Sequence, residues 1–121
     1  MADDNPAMLQ EIVSVVRSEF EVVATATDGA AARECIERYH PDVAVLDLLM
    51  PHISGIELTT ELTRNGNSIR VILCSVETDQ DIIDAAFKAG AAGYVFKVQM
   101  AKDLIPAIKS VVAGRQFKSP E

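Results

Sequence analysis

Three short runs carry no charge at all: residues 43–46 (Val-Ala-Val-Leu), 71–74 (Val-Ile-Leu-Cys) and 93–96 (Gly-Tyr-Val-Phe). A strand with one face in water alternates apolar and polar residues. A run that is apolar throughout suits a strand covered on both faces, as in a parallel sheet. Each run is followed at once by a polar residue: Asp47, Ser75 and Lys97. The stretches between the runs have helical periodicity, and strands alternating with helices of this length predict a parallel sheet with helices on both faces.

The helical stretches are bounded by ordinary stop signals. Leu9, Ile12, Val13, Val16 and Phe20 fall on one face of a helix that Pro6 can start. Residues 22–26 form a short β-prone run closed by Thr27-Asp28-Gly29, and a helix carrying Ala32, Cys35, Ile36 and Tyr39 is halted by His40-Pro41. Residues 56–64 and 80–88 predict two further helices, the second with Ile83, Ala86 and Phe87 inward. The last helix, about residues 101–113, has Leu104, Ile105, Ile108, Val111 and Val112 on one stripe, with Pro106 expected close enough to its first turn to be tolerated. Residues 114–121 read as the start of a linker. One element is short: Asp3 and Asp4 look like the carboxyl end of a first strand, yet only Met1 and Ala2 precede them, and a strand normally needs about five residues.

A chain of 121 residues suits one compact domain, and 49% hydrophobic residues suffice for a core, which aliphatic side chains must build because tryptophan is absent. The net charge of −7 would repel phosphate backbones, so direct nucleic-acid binding by this segment is not expected. Cys35 and Cys74 are too few for a disulfide scaffold and read as reduced structural thiols. No run is long enough to cross a bilayer, and Met-Ala-Asp-Asp has no signal-peptide pattern. The expectation is a cytoplasmic protein with no membrane partner.

In open parallel α/β sheets, sites form at the carboxyl ends of the strands. There this sequence places Asp3 and Asp4, Asp47, Ser75 and Lys97. A carboxylate beside Val-Ala-Val-Leu is costly to desolvate unless a cation or donors compensate it. Two or three carboxylates converging on one rim suit a hard divalent cation with oxygen ligands, Mg²⁺ being the common choice. The Lys97 ammonium and the Ser75 hydroxyl can then meet an anion beside that metal. Together these groups suit phosphoryl transfer to an aspartyl nucleophile.

The motifs Ala-Asp-Asp-Asn-Pro, Leu-Asp-Leu-Leu-Met-Pro, Leu-Cys-Ser and Ala-Gly-Ala-Ala-Gly-Tyr-Val-Phe-Lys, in this order and spacing, resemble the receiver domains of two-component response regulators. The tail resembles the NarL/FixJ-like group, in which a receiver precedes a LuxR-type helix-turn-helix domain. The resemblance implies a flavodoxin-like, doubly wound five-stranded sheet of order 2-1-3-4-5, here with its first strand largely missing. It implies a receiver over residues 1–113, followed from residue 114 by a linker to an output domain. By the same resemblance Asp47 is the phosphoacceptor, Asp4 a direct Mg²⁺ ligand, Asp3 a ligand through water, and Leu49 a ligand by its backbone carbonyl. Ser75 would hydrogen-bond the phosphoryl group, Lys97 would pair with it, and Tyr94 would be the aromatic whose rotamer follows the switch. The implied partners are a sensor histidine kinase, a DNA-binding output domain regulating transcription and, on phosphorylation, a second copy of the chain.

There are departures. Val98 stands where many receivers have proline, Ser54 replaces a common aspartate, and Val76 replaces a common alanine, with bulk expected to hinder inward movement of Tyr94. Rival readings fare worse on the residues. A haloacid dehalogenase-type phosphatase would need an acid two residues after Asp47, where Leu49 stands, and a flavodoxin-like cofactor binder would need a phosphate loop where Asp3-Asp4-Asn5-Pro6 repels phosphate. A phosphorylation-independent interaction module remains as the alternative. The expectation is a switch that catalyses only its own phosphorylation and dephosphorylation, not an enzyme acting on a separate substrate. A final expectation is that the natural protein has several apolar residues before Ala2.

Overall fold

The computed structural model describes residues 1–120. The chain runs through α1 (Pro6–Arg17), α2 (Gly29–Tyr39), β1 (Val43–Asp47), α3 (Gly55–Arg64), β2 (Arg70–Ser75), α4 (Gln80–Lys88), β3 (Gly93–Phe96), a 3₁₀ turn (Lys97–Gln99), α5 (Met100–Val112) and β4 (Phe117–Lys118). The strands lie in the order β1-β2-β3-β4, all parallel, with Asp47 opposite Cys74 and Ser75 opposite Phe96.

Successive strand residues point to opposite faces, so the apolar runs feed two cores. Leu46, Leu73, Tyr94 and Phe96 pack with Ile36 of α2, Leu58 of α3 and Ile83 of α4. Val45, Ile72, Cys74 and Val95 pack on the other face with Ile12 of α1 and Leu104, Ile108 and Val111 of α5. Helices thus cover both faces, as the uninterrupted apolar runs predict. Local chemistry sets the helix ends. Asn5 accepts the N–H groups of Ala7 and Met8, and Pro6 follows it at the first helical position. Ser54 and Glu57 close a reciprocal capping box on α3, which starts that helix at Gly55.

Three local expectations change. Pro106 lies well inside α5, beyond its first turn. The carbonyl it leaves without a donor belongs to Lys102, and both residues are exposed, so that group is open to solvent. Residues 22–26 do not form a strand: only Ala26 is bridged, to Ala2. The cause is the short first strand. Ala2 is the single rung, bridging Ala26 on one side and Leu46 on the other, with its N–H on the Val45 carbonyl (2.8 Å) and its carbonyl accepting the Asp47 N–H (2.8 Å). The sheet thus has the expected order in outline, with its central strand reduced to one residue. Third, Phe117–Lys118, within the segment expected to be a linker, pair with Gly93–Tyr94 as an edge strand.

Behind Ala2 lies a slot of about 370 Å³ between residues 21–26 and β1, lined among others by Val16, Val22, Ala24, Ile36, Val45 and Ile108. The Met1 ammonium lies in its mouth, donating to the Ala24 carbonyl at 3.1 Å, and burial pulls its pKa below the usual 8.0.

Candidate functional site

The carboxyl ends of β1, β2 and β3 bring Asp47, Ser75 and Lys97 to one rim, and the Ala2 rung places Asp3 there beside them. Asp3 is wholly buried and Asp47 nearly so. Lys97 Nζ lies 2.9 Å from Asp3 Oδ2 and 3.1 Å from Asp47 Oδ2. One oxygen from each of Asp3, Asp4 and Asp47 lies within 4.8 Å of the others, Asp4 being the exposed member. Asp3 Oδ1 accepts the Asn5 N–H at 2.9 Å, which ties the acidic pair to the start of α1.

The electrostatics follow from one ammonium serving two buried carboxylates. Burial raises the Asp47 pKa above its ordinary value; Lys97 opposes that rise and the Asp3 charge adds to it. For Lys97 burial favours losing the proton, but its hydrogen bonds and charge contacts with Asp3 and Asp47 prevail and raise its pKa. The cluster keeps an uncompensated negative charge, and its donors are carboxylate oxygens. That donor set fits a hard divalent cation.

The loop after Asp47 is pinned from below. Leu48 N–H donates to the Cys74 carbonyl (3.0 Å) and Gly55 N–H to the Leu48 carbonyl (2.8 Å). A side chain at Gly55 would collide with the Asp47 carbonyl oxygen, so only glycine fits beneath Asp47. The Leu49 side chain is 64% exposed while its N–H faces Asp47 Oδ1 in a long contact of 3.4 Å. Val76 and Val98, each just beyond a site residue, are 68% and 86% exposed. Aliphatic groups therefore rim a charged centre.

Ser75 is buried, and its hydroxyl accepts the Glu77 N–H at 3.0 Å and also meets the Tyr94 hydroxyl. Tyr94 lies fully inward, its hydroxyl donating to the Glu77 carbonyl at 2.9 Å and its ring edge-on to Phe96. Val76 does not hinder this position, as its bulk had suggested, because it points into solvent. Cys74 is an inert thiol, pushed up to about 12 chiefly by burial.

Sequence reasoning missed Ser119. It is completely buried between exposed Lys118 and Pro120, and its Oγ accepts the Phe96 N–H at 3.0 Å. A polar tail offers no periodicity that would reveal this; the one hint is Phe117, a large apolar residue beyond the last helix.

A parallel α/β sheet with buried aspartates, a hydroxyl and a lysine on its carboxyl rim defines a phosphoacceptor class of regulatory domain. The response regulator receiver domain family matches residues 1–109. The chain is 36% identical over 109 residues to the transcriptional regulatory protein DegU of Brevibacillus brevis, covering 90% of this chain and 46% of DegU. It is 30% identical over 114 residues to the chemotaxis protein CheY of Halobacterium salinarum, covering 94% of this chain and 95% of CheY. The signal receiver domain of the response regulator NarL of Mycobacterium tuberculosis superposes with a TM-score of 0.90 at 32% identity, over 94% of each chain. The chain belongs to the receiver-domain family of two-component response regulators, and its relatives include NarL- and DegU-type transcriptional regulators. It spans about half the length of those regulators, 46% of DegU and 56% of NarL. Among the described residues no helix is long and apolar enough to cross a membrane.

Proposed function

We propose that Asp47 accepts a phosphoryl group from the phosphohistidine of a sensor kinase, and that the resulting change is passed to a DNA-binding domain regulating transcription. The observation that carries this reading is the Lys97 ammonium held within 3.1 Å of Asp47 Oδ2 on a rim that still has surplus negative charge. An Asp47 carboxylate oxygen bonds to phosphorus as the bond from phosphorus to the donor nitrogen breaks, and the nitrogen keeps that electron pair. Mg²⁺ held by Asp4 and Asp47, with Asp3 acting through water and the Leu49 carbonyl completing the set, would neutralise charge on the transferred group. Lys97 meets one phosphoryl oxygen and the Ser75 hydroxyl another. Because Ser75 also accepts from Glu77 N–H, and the Glu77 carbonyl holds Tyr94, a pull on Ser75 reaches the aromatic directly. The domain acts on itself, works in the cytoplasm and can pair with a second copy once phosphorylated.

Two results test the roles. Lys97→Ala removes a positive charge from between two buried carboxylates, so Mg²⁺ should bind at least as tightly as in wild type while phosphorylation by acetyl phosphate slows by about tenfold or more. Isothermal titration and intact-mass kinetics read the two effects, and loss of metal binding would contradict the assignment. Leu49→Asn places an amide where wild type has only an aliphatic group near the acceptor, so water is better oriented for attack on the aspartyl phosphate. Loss of phosphate should quicken by about two- to tenfold, moderately because Glu77 stands nearby. An unchanged half-life would remove Leu49 from the account.

A further inference from the structure

Without its tail the sheet would end at β3, whose outer edge would leave the Tyr94 carbonyl and the Phe96 N–H unpaired beside the site. The tail returns after α5 through Gly114, whose φ of +84° suits glycine, and lies parallel to that edge. Phe117 N–H donates to the Ala92 carbonyl at 3.1 Å and Ser119 N–H to the Tyr94 carbonyl at 2.9 Å. The next rung of a parallel ladder would bring the Phe96 N–H to the Ser119 carbonyl. The Ser119 hydroxyl takes that N–H instead, at 3.0 Å and with no exposure of the residue. One buried serine therefore holds both Tyr94 and Phe96, and Phe96 is the residue immediately before Lys97.

We propose that Ser119 is a positioning residue of the phosphoacceptor site: it clips the tail to the end of β3 and thereby fixes Lys97 over Asp47. The inference rests on the reading of Asp47 as acceptor. Ser119 touches no reacting atom; it acts through the backbone of Phe96. The coupling is reciprocal, since an event that draws Lys97 toward a phosphoryl group shifts the strand end that Ser119 holds, and with it the tail.

The test is the phosphorylation rate of the whole chain with acetyl phosphate and Mg²⁺, followed by intact mass. Ser119→Ala leaves the Phe96 N–H buried without its acceptor. The maximal rate should fall about three- to tenfold, with the Mg²⁺ half-saturation unchanged, and Ser119→Thr should restore it. A folded Ser119→Ala chain within twofold of the wild-type rate overturns the proposal, as would an equal loss in Ser119→Thr. A second measurement needs no variant. Amide exchange of Phe96 and Ser119 in the wild-type chain should change together when beryllofluoride and Mg²⁺ are added, and unchanged exchange at both would equally overturn it. If the wild-type chain itself takes up no phosphate, the acceptor assignment fails instead, which separates the two failures.

Discussion

Asp47→Asn should take up no phosphoryl group from acetyl phosphate and Mg²⁺, under conditions where the wild-type chain gains one. The expected loss is at least about a thousandfold, because the substitution removes the nucleophile and the other buried carboxylate on the rim, Asp3, is already held by Lys97 and Asn5 N–H. Uptake at the normal rate by the variant would show that another residue is the acceptor. A stability measurement on the same variant is independent of any donor. The Asp47 pKa is raised in the folded chain, chiefly by burial. For an acid shifted upward the native state binds the extra proton, so stability is fully present below the ordinary value of 3.8 and is lost as pH rises through the folded value. At neutral pH and without metal, ionised Asp47 therefore weakens the fold, and Asp47→Asn should melt at a higher temperature than wild type. Mg²⁺ should raise the wild-type melting temperature and leave the variant nearly unmoved. A variant that melts lower at neutral pH and gains as much from Mg²⁺ would contradict the charge balance described here.

The second large effect lies away from the acceptor. Lengthening the chain ahead of Met1 by four aliphatic, β-prone residues should raise the urea midpoint substantially. Each such side chain buried in the slot contributes roughly 1.5–3 kcal/mol, against about 1–2 kcal/mol per residue for ordering the backbone. The extension also turns the Met1 ammonium, now partly desolvated beside Ala24, into a peptide N–H that can still donate to the same carbonyl. A net gain of roughly 2–4 kcal/mol with a slope of about 1–3 kcal/mol per molar moves the midpoint by roughly 0.7–4 M. Four serines in the same place should give little of this. Equal midpoints for the aliphatic extension and the original chain would show that the slot closes by itself and that Ala2 alone suffices at the centre of the sheet.

Much of this was legible in the sequence because buried parallel strands leave an unmistakable mark. Residues 43–46, 71–74 and 93–96 could be placed from apolarity alone, and the polar residue ending each run then had to lie on the rim. The meeting of Asp3, Asp47 and Lys97 followed from that rule. What the sequence hid was governed by partners rather than patterns. Residues 22–26 look like a strand, but among the described residues only Ala26 of this run is bridged, to Ala2. Tyr94 could be assigned to β3 but not to an inward rotamer, since that depends on the Glu77 carbonyl and on where Val76 points. Ser119 reads as a polar tail residue because its burial comes entirely from an edge formed far earlier in the chain.

The docked tail also sets the direction in which the described chain leaves the sheet. With Phe117 and Lys118 in register beside Gly93 and Tyr94, the polypeptide leaves the sheet next to Phe96, at the same end as Lys97 and Asp47 rather than at the far end of α5. A cargo joined after Pro120 would therefore be leashed close to the charged rim. Its local concentration there is set by a leash starting at the rim, so even weak affinity for the exposed Val98 shoulder would be amplified. If phosphorylation loosened the Ser119 anchor, the Phe117 N–H would still have to leave the Ala92 carbonyl before the leash could lengthen by the few residues of β4.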